Sequence, residues 1–547
     1  MSSCCLLMSL TQPCWYVKIL ARIFIFFCRR LFDVFLFNIC SYRHRWHINT
    51  WSLAFVLTFL ISNFTSICYS FTMSNSLNSN EKFDHAVHES VGSSDDEVLE
   101  KYLLAQQALE QENGIKYRTC SWQKTAALVF SEYICLAILS FPWSYSVLGL
   151  IPGLILTFVT ALSTLYTGIT IWEFCLKNPN VRTVCDIGQH LFWGKKWAWW
   201  FTAACFLLNN TFIQALHVLV GSKYLNSISN HALCSVVFGV IAAIICFIFS
   251  IPRTFSGLSH LASFSAATMF IAVVLCMAFA GAQEHPAGFD GTPVHWNLIP
   301  VKGTNFAAGM SAFLNIVYTL VGQITYPSFI AEMEDPRDFK KVLYLVTVAE
   351  VVVFSLAGSI VYVYVGDAYM TAPAFGSLDN VYMKVAFSFA VPTIVFLGVL
   401  YSTVSSKFIF QFFFDDTVHA KEHTAFGWAV WVLIVAGTWV IAFIIAEVIP
   451  FFSDLLSLMS SLFDTWFGFI FWGVAYFQMR GQEQGAGWWK RQGIYGNIMI
   501  GLNILLIITG LVCLGPGTYS AVQSIVTNYQ TGSVSGVFSC ANNGFKG

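Results

Sequence analysis

Eleven long apolar runs separated by short polar loops organise the chain from Trp122 onward. They are Trp122–Leu148, Ile151–Phe174, Trp197–Val220, Cys234–Ile251, Leu258–Gly281, Asn305–Ala331, Val342–Val365, Val385–Phe410, Ala425–Ala446, Phe451–Phe477 and Ile494–Leu514. Each reaches or approaches the ~20 residues an α-helix needs to cross ~30 Å of hydrocarbon. The pattern predicts an all-α polytopic membrane protein with 11 transmembrane helices. Upstream, Ser74–Arg118 is polar and rich in Ser and Glu. It reads as a disordered tail with a short helix around Glu97–Gln111. Four regions are expected: an atypical extension at 1–72, a cytoplasmic tail at 73–118, a transmembrane domain at 119–515 and an extracytoplasmic tail at 516–547.

Composition sharpens the class. Of 547 residues, 56% are hydrophobic and 10% charged, whereas a soluble domain is about 45–50% apolar and about 25% charged. A soluble enzyme and a disordered scaffold are poor fits. The net charge of −1 leaves no basic footprint for nucleic acid.

Charge then orients the spans. With the tail before Trp122 inside, the inner loops hold Lys177, Arg182, Lys195, Lys196, Arg253, Arg337, Lys340, Lys341, Lys407, Lys421, Arg480, Lys490 and Arg491. The outer segments hold Lys223, Lys302, Lys384 and Lys546, a ratio of 13 to 4. That is the bias of the positive-inside rule, with the N-terminus cytoplasmic and the C-terminus outside. Residues 1–72 depart from this order. They carry six of the 16 cysteines and six basic residues, and Trp51–Phe71 is uncharged over 21 residues. An extra span, a targeting segment and wrongly attached upstream sequence all compete. A span there would leave the basic residues outside, so the orientation argument favours Met73 as the true start.

Two spans are interrupted. The first contains Pro142 and Gly149, the sixth Gly322 and Pro327, with the prolines 20 and 22 residues after Trp122 and Asn305. Proline removes a backbone donor and glycine eases irregular dihedrals. Matching breaks in spans 1 and 6 predict a 5+5 inverted repeat with one extra span, and a substrate site at the breaks.

The stretches SEYICLAILSFPWSYSVLGLIPG (131–153), NNTFIQALHVLVGSKYLN (209–226), GQITYPSFIAEMEDPRDFKKVL (322–343), FSFAVPTIVFLGVLYSTVSSKFIF (387–410) and EVIPFFSDLLSLMSSLFDTWFGFIFWGVAYF (447–477) carry a resemblance. From about Arg118 onward the chain resembles the fungal neutral branch of the amino acid/auxin permease family. The resemblance implies a leucine-transporter-like core that moves amino acids with protons. Ala137 stands where a glycine is common in that family, and Trp143 follows Pro142.

In such a permease the substrate carboxylate meets positive half-helix ends and the ammonium meets unwound carbonyls. The expected binding residues are Ala137, Ile138, Leu139, Ser140 and Phe141 in span 1, and Tyr318, Thr319, Gly322 and Gln323 in span 6. Thr319 and Gln323 either contact substrate or repair the broken helix. Asn209, mid-span 3, either reaches the pocket or clips two helices together. Glu132 is an acid inside span 1, where ionisable groups are costly and usually functional; it is the candidate for proton coupling, with a packing role as the alternative. Ser402 and Thr403 in span 8 are a candidate remnant of a cation site, which keeps sodium coupling open. Glu350, Asp454 and Asp464 receive no role.

Cys234 and Cys540 are expected to form a disulfide, because the topology places both outside, on the oxidising face. The other cysteines after Met73 fall inside or within spans. The expected protein is thus a monomeric proton-coupled symporter of neutral amino acids in the plasma membrane, seated in the lipid bilayer. A vacuolar exporter of the same fold and a non-transporting receptor are the alternatives. No cofactor or metal is expected, and no nucleophile elbow or phosphate loop points to an enzyme.

Overall fold

The computed structural model describes residue 100 and residues 118–545, apart from 119, 180, 182, 254–257, 415–416, 423, 486 and 533–535. The extension at 1–72, the start at Met73 and the tail to residue 117 lie outside these residues, except for Glu100, which is helical.

Helices account for the described fold, in chain order: α1 Trp122–Tyr133, α2 Phe141–Leu148, α3 Leu150–Lys177, α4 Val184–Leu191, α5 Lys196–Ser229, α6 Ser235–Ser250, α7 Leu258–Ala282, α8 Phe306–Leu320, α9 Tyr326–Glu332, α10 Phe339–Val365, α11 Asn380–Phe414 and α12 Ala425–Val448. After these come α13 Phe452–Met459, a π-helix at Ser460–Ile470, α14 Phe471–Gln484, α15 Ile494–Val512 and α16 Thr518–Gln530. Among the described residues, eight helices are long and apolar enough to cross a membrane. α1 and α2 together make a ninth candidate, bent by 43°, and α6 and α8 are shorter apolar helices. The protein is therefore a multi-pass membrane protein. Among the described residues there is no strand, only an isolated bridge between Cys120 and Met333.

Local chemistry sets several starts. The Asn305 side chain accepts from Ala308 N–H and opens α8, and Thr424 accepts from Gly427 N–H to open α12. Each supplies one of the acceptors that the first helical turn lacks. α4, between two spans, carries a Thr183/Asp186 capping box.

The helices sort into two groups. α5, α6, α11 and α12 pack on one another in every pairing. α1, α2, α3, α8, α9 and α10 form the other group, with α10 packed on α1, α2 and α3, and α8 on α2 and α3. α7 touches both groups through α10 and α11. The interrupted helices run antiparallel and are tied at both ends. At one end Cys120 N–H donates to Glu332 O, and Glu334 N–H to Cys120 O. At the other, Leu150 N–H donates to Asn297 O, and Ile151 N–H to Leu298 O. Gly149 permits that second approach. It has φ +79°, and a Cβ there would sit 2.5 Å from the Ile299 carbonyl carbon.

Loops close the structure. Tyr369 O–H donates to Asp290, which holds that carboxyl down to about 2. Lys177 and Arg480 each pair with both Glu173 and Glu483, joining the end of α3 to α14.

The last span differs from the sequence expectation, which ended it at Leu514 and began a tail at 516. The helix passes through a π-helical turn at Cys513–Gly517 and continues as α16. Pro516 lacks an N–H and its ring crowds the preceding turn, a conflict that a widened turn relieves. α16 is then held to α13, because Asp454 accepts from Ser524 Oγ at 2.8 Å and Asn528 Nδ2 at 2.7 Å.

Beyond α16 the chain straps back over α5, α6 and α11. Cys540 is disulfide-bonded to Cys234, 306 residues earlier. Asn226 Nδ2 donates to Asn543 Oδ1 at 2.6 Å, Phe545 N–H donates to Ser227 Oγ at 2.9 Å, and the Phe545 ring lies 5.9 Å from that of Phe387. Maleimide labelling of the intact protein is expected to modify neither Cys234 nor Cys540 until a reductant is added. Cys234→Ser is expected to lower stability by about 2–4 kcal/mol, read as a fall in Tm; early labelling of both thiols would contradict the bond.

Candidate functional site

The two interruptions are built alike. α1 stops at Tyr133, Ile134 and Cys135 leave the helix, and a 3₁₀ turn at Leu136–Ser140 leads into α2, whose second residue is Pro142. α8 stops at Leu320, Val321 is extended, and the helix resumes at Tyr326, with Pro327 as the second residue of α9. A proline in the first helical turn has no intrahelical N–H bond to lose. Each proline therefore marks where a helix restarts, and the break lies before it.

A cavity of about 60 Å³ lies against both breaks. Its wall contains Glu132, Tyr133 and Cys135 from span 1, and Tyr318, Thr319, Val321, Gly322 and Ile324 from span 6. Asn209 and Ile213 come from α5, Tyr401 from α11, and Asp464 and Phe467 from the π-helix. The cavity is thus walled by both helix groups. Among the described residues, no Lys, Arg or His contributes to it.

Glu132 spans the two groups. Thr325 Oγ1 donates to its Oε2 at 2.9 Å, and Tyr401 O–H donates to its Oε1 at 3.0 Å. Thr325 Oγ1 also lies 2.9 Å from Gly322 O, and a hydroxyl has one hydrogen for these two acceptors. Beside it, Tyr133 and Tyr326 share a hydrogen bond of 2.6 Å between their hydroxyls. Gly322 makes room for Tyr133, since a Cβ there would sit 2.7 Å from Tyr133 Cζ.

Of the residues expected from sequence, Glu132, Asn209, Tyr318, Thr319 and Gly322 meet at this cavity. Ala137, Ile138, Leu139, Ser140 and Phe141 do not. They are fully buried in helix packing, with Phe141 5.3 Å from Phe354 and Ser140 Oγ donating to Ala137 O. The break falls earlier than Pro142 suggests, which displaces the wall to Glu132–Cys135. Gln323 turns away to α3, where Nε2 donates to Thr167 Oγ1 at 3.1 Å. Thr319 Oγ1 donates to Asn315 O while its side chain still borders the cavity. Ser402 pairs with Thr438 at 3.3 Å, and Thr403 donates to Val399 O, so neither reaches the wall.

Sequence reasoning missed Asp464. It is 7% exposed and sits on an 11-residue π-helix. A π segment turns its side chains out of α register, and such segments concentrate at functional sites. The one legible signal was a carboxylate inside an apolar run. Tyr133, Cys135 and Tyr401 were missed as well, for lack of any pattern that sets them apart from packing residues.

Residues 118–514 match the family described as transmembrane amino acid transporter protein. Relatives agree. The chain is 32% identical over 433 residues to the N amino acid transport system protein of Neurospora crassa, covering 79% of this chain and 90% of that protein. It is 28% and 27% identical to proteins named transmembrane transporter from Gibberella moniliformis and Fusarium pseudograminearum, with 79% and 90% covered in both cases. With a cavity at two helix breaks and a family match over most of its length, the chain belongs to the transmembrane amino acid transporter family.

Proposed function

We propose that the protein is a proton-coupled symporter of neutral amino acids in the plasma membrane, working by alternating access. The observation that carries this reading is Glu132, one carboxylate hydrogen-bonded to both helix groups at the cavity. In the charged state it accepts from Thr325 and Tyr401. Once protonated on Oε2 it donates to Thr325 Oγ1, whose hydrogen passes to Gly322 O, while Tyr401 still donates to Oε1, now of a neutral group and so more weakly. Proton binding thus changes a contact between the two groups and the break of span 6 together. Substrate binding between groups that move against each other then couples to the proton.

The substrate carboxylate faces the N-terminal end of the 3₁₀ turn beside Cys135, where the helix dipole favours an anion. The wall residues Ile213, Val321, Ile324 and Phe467 suit an uncharged side chain, and the absence of a wall cation among the described residues disfavours an acidic one. The Neurospora relative, whose name is that of an amino acid transport system, supports the substrate class. Counting the bent pair and the two shorter apolar helices beside the eight long ones supports eleven spans. α8 is short because it is one half of a broken span, completed by α9. The positive-inside bias supports a cytoplasmic N-terminus.

Radiolabelled amino acid uptake in permease-deficient cells is expected to rise as external pH falls and to collapse with a protonophore. Glu132→Gln is expected to cut uptake about tenfold or more, equivalent to about 1.4 kcal/mol of lost coupling, and to flatten the pH profile. A sodium-dependent, pH-insensitive flux would sink the proton assignment. Gly322→Ala is expected to displace Tyr133, whose ring has little freedom while bonded to Tyr326, and to abolish uptake at normal surface abundance. Wild-type uptake in that variant would show that the break tolerates a side chain.

A further inference from the structure

The strap beyond α16 delivers one aromatic ring to a buried turn. Cys540 is exposed and bonded to the half-buried Cys234 at the start of α6. Asn543 and the Phe545 N–H are then held by Asn226 and Ser227 near the end of α5. These anchors set the Phe545 ring against the 3₁₀ turn Ala374–Ser377, in the loop that joins α10 to α11. A Cβ on Gly376 would run into that ring, so glycine lets the two surfaces close. The ring also lies 5.9 Å from that of Phe387 on α11, and Lys223 Nζ of α5 stands 5.6 Å from its centre.

The turn that receives the ring reaches the site. Ala374, Phe375 and Ser377 are fully buried, and the turn packs against Leu136–Ser140, the 3₁₀ turn at the break of span 1. Phe375 stacks on Phe387 at 4.7 Å, and Ser377 O accepts from Ala287 N–H at 3.1 Å. A chain of contacts therefore runs from the strap through the Gly376 turn to the broken helix. The strap's anchors lie on α5, α6 and α11, which pack together as one helix group, whereas the break belongs to the other. Phe545 thus joins the two groups on the strap's side of the molecule. Separating them there requires the ring to leave the turn, or the turn to leave the break. A close-packed interior makes that a change between two arrangements and not a gradual stretch.

We propose that Phe545 is a positioning residue for transport: it latches the Ala374–Ser377 turn onto the break of span 1 and holds the outer path to the cavity closed. The Cys234–Cys540 bond keeps the ring in place, because the neighbouring strap residues Ser539 and Ala541–Gly544 are small or polar and bury little apolar area. This rests on the alternating-access reading and on the orientation that puts the strap outside. Opening toward external substrate then includes withdrawal of one aromatic ring, and a chain without that ring is biased toward the outward-open arrangement.

The test uses Cys135, a half-buried free thiol on the cavity wall, as the reporter of access from outside. Cells expressing the full chain are exposed to a membrane-impermeant methanethiosulfonate. Phe545→Ala is expected to speed modification about fivefold or more, an increment that disappears when Cys135→Ser is added. In the same variant the KM for external L-leucine is expected to fall about threefold or more, because the binding-competent fraction rises. A merely structural defect would lower surface abundance and leave KM unchanged or raised. The double variant Cys234→Ser, Cys540→Ser is expected to move both readouts in the same direction, and serves if Phe545→Ala fails to reach the membrane. A wild-type labelling rate in both variants overturns the latch and leaves amino acid transport standing. A rise confined to the cysteine pair also overturns it, since the bond and not the ring would then be the constraint. A wild type that carries no amino acid from a full panel overturns both the latch's role and the transport reading beneath it.

Discussion

A backbone N–H or C=O facing hydrocarbon without a partner costs several kcal/mol, and that constraint governs where this chain can cease to be helical. The departures seen within the spans obey it. The break after Tyr133 is repaired by Ile134 and Cys135 donating to Phe130 O and Tyr133 O. The break after Leu320 is repaired by Thr325 and Tyr326 donating back to Gly322 O and Gln323 O. Both breaks lie inside the protein, against the cavity, where side chains and a ligand can satisfy what remains. At the ends of the same spans, the Cys120–Met333 bridge and the Gly149–Ile299 approach close the backbone of each half onto the other. A helix pair tied at both ends and interrupted in the middle concentrates its polar backbone at one depth.

The polar side chains of the wall follow from that placement. Glu132 is satisfied by one hydroxyl from each helix group, so its hydrogen bonds cannot all persist if the groups separate. Breaking a buried hydrogen bond to a charged group costs about 1.5–3 kcal/mol, enough to bias a two-state equilibrium by one or two decades. Proton occupancy at this carboxylate can therefore weigh on the conformational balance without any large rearrangement of its own.

Much of this architecture was legible from residue order. Uncharged runs of about 20 residues have few other uses, and Pro142 and Pro327 advertised interruptions because proline removes an intrahelical hydrogen bond and crowds the preceding turn, although Pro392 sits inside the continuous α11. Each of these prolines sits in the first turn of the helix that follows its break, and Glu132–Cys135 line the cavity while Ala137–Phe141 are packed beside it. The direction of a side chain was harder to read. Gln323 sits inside the break yet bonds to Thr167, and Thr403 bonds its own helix; no one-dimensional pattern distinguishes these from pocket groups. The two carboxylates differ instructively. Glu132 stood out as an acid inside the first interrupted span, whereas Asp464 depended on a π-helical register that propensity does not encode.

That register makes the helical stretch Phe452–Gln484 sensitive to length, as a shorter π-helical turn does the last span. An α-helix advances about 100° per residue, and the π segment from Ser460 to Ile470 holds surplus chain within its wider turns. Loss of one residue there would let the segment relax into an ordinary α-helix with every backbone bond kept and the span still apolar. The same loss would swing Asp464 relative to Phe471–Gln484 by roughly a third of a turn, away from the cavity. Along this stretch a single-residue deletion is a change of cavity wall delivered at no cost in helicity. Divergence among related transporters can thus proceed there by insertion and deletion as readily as by substitution.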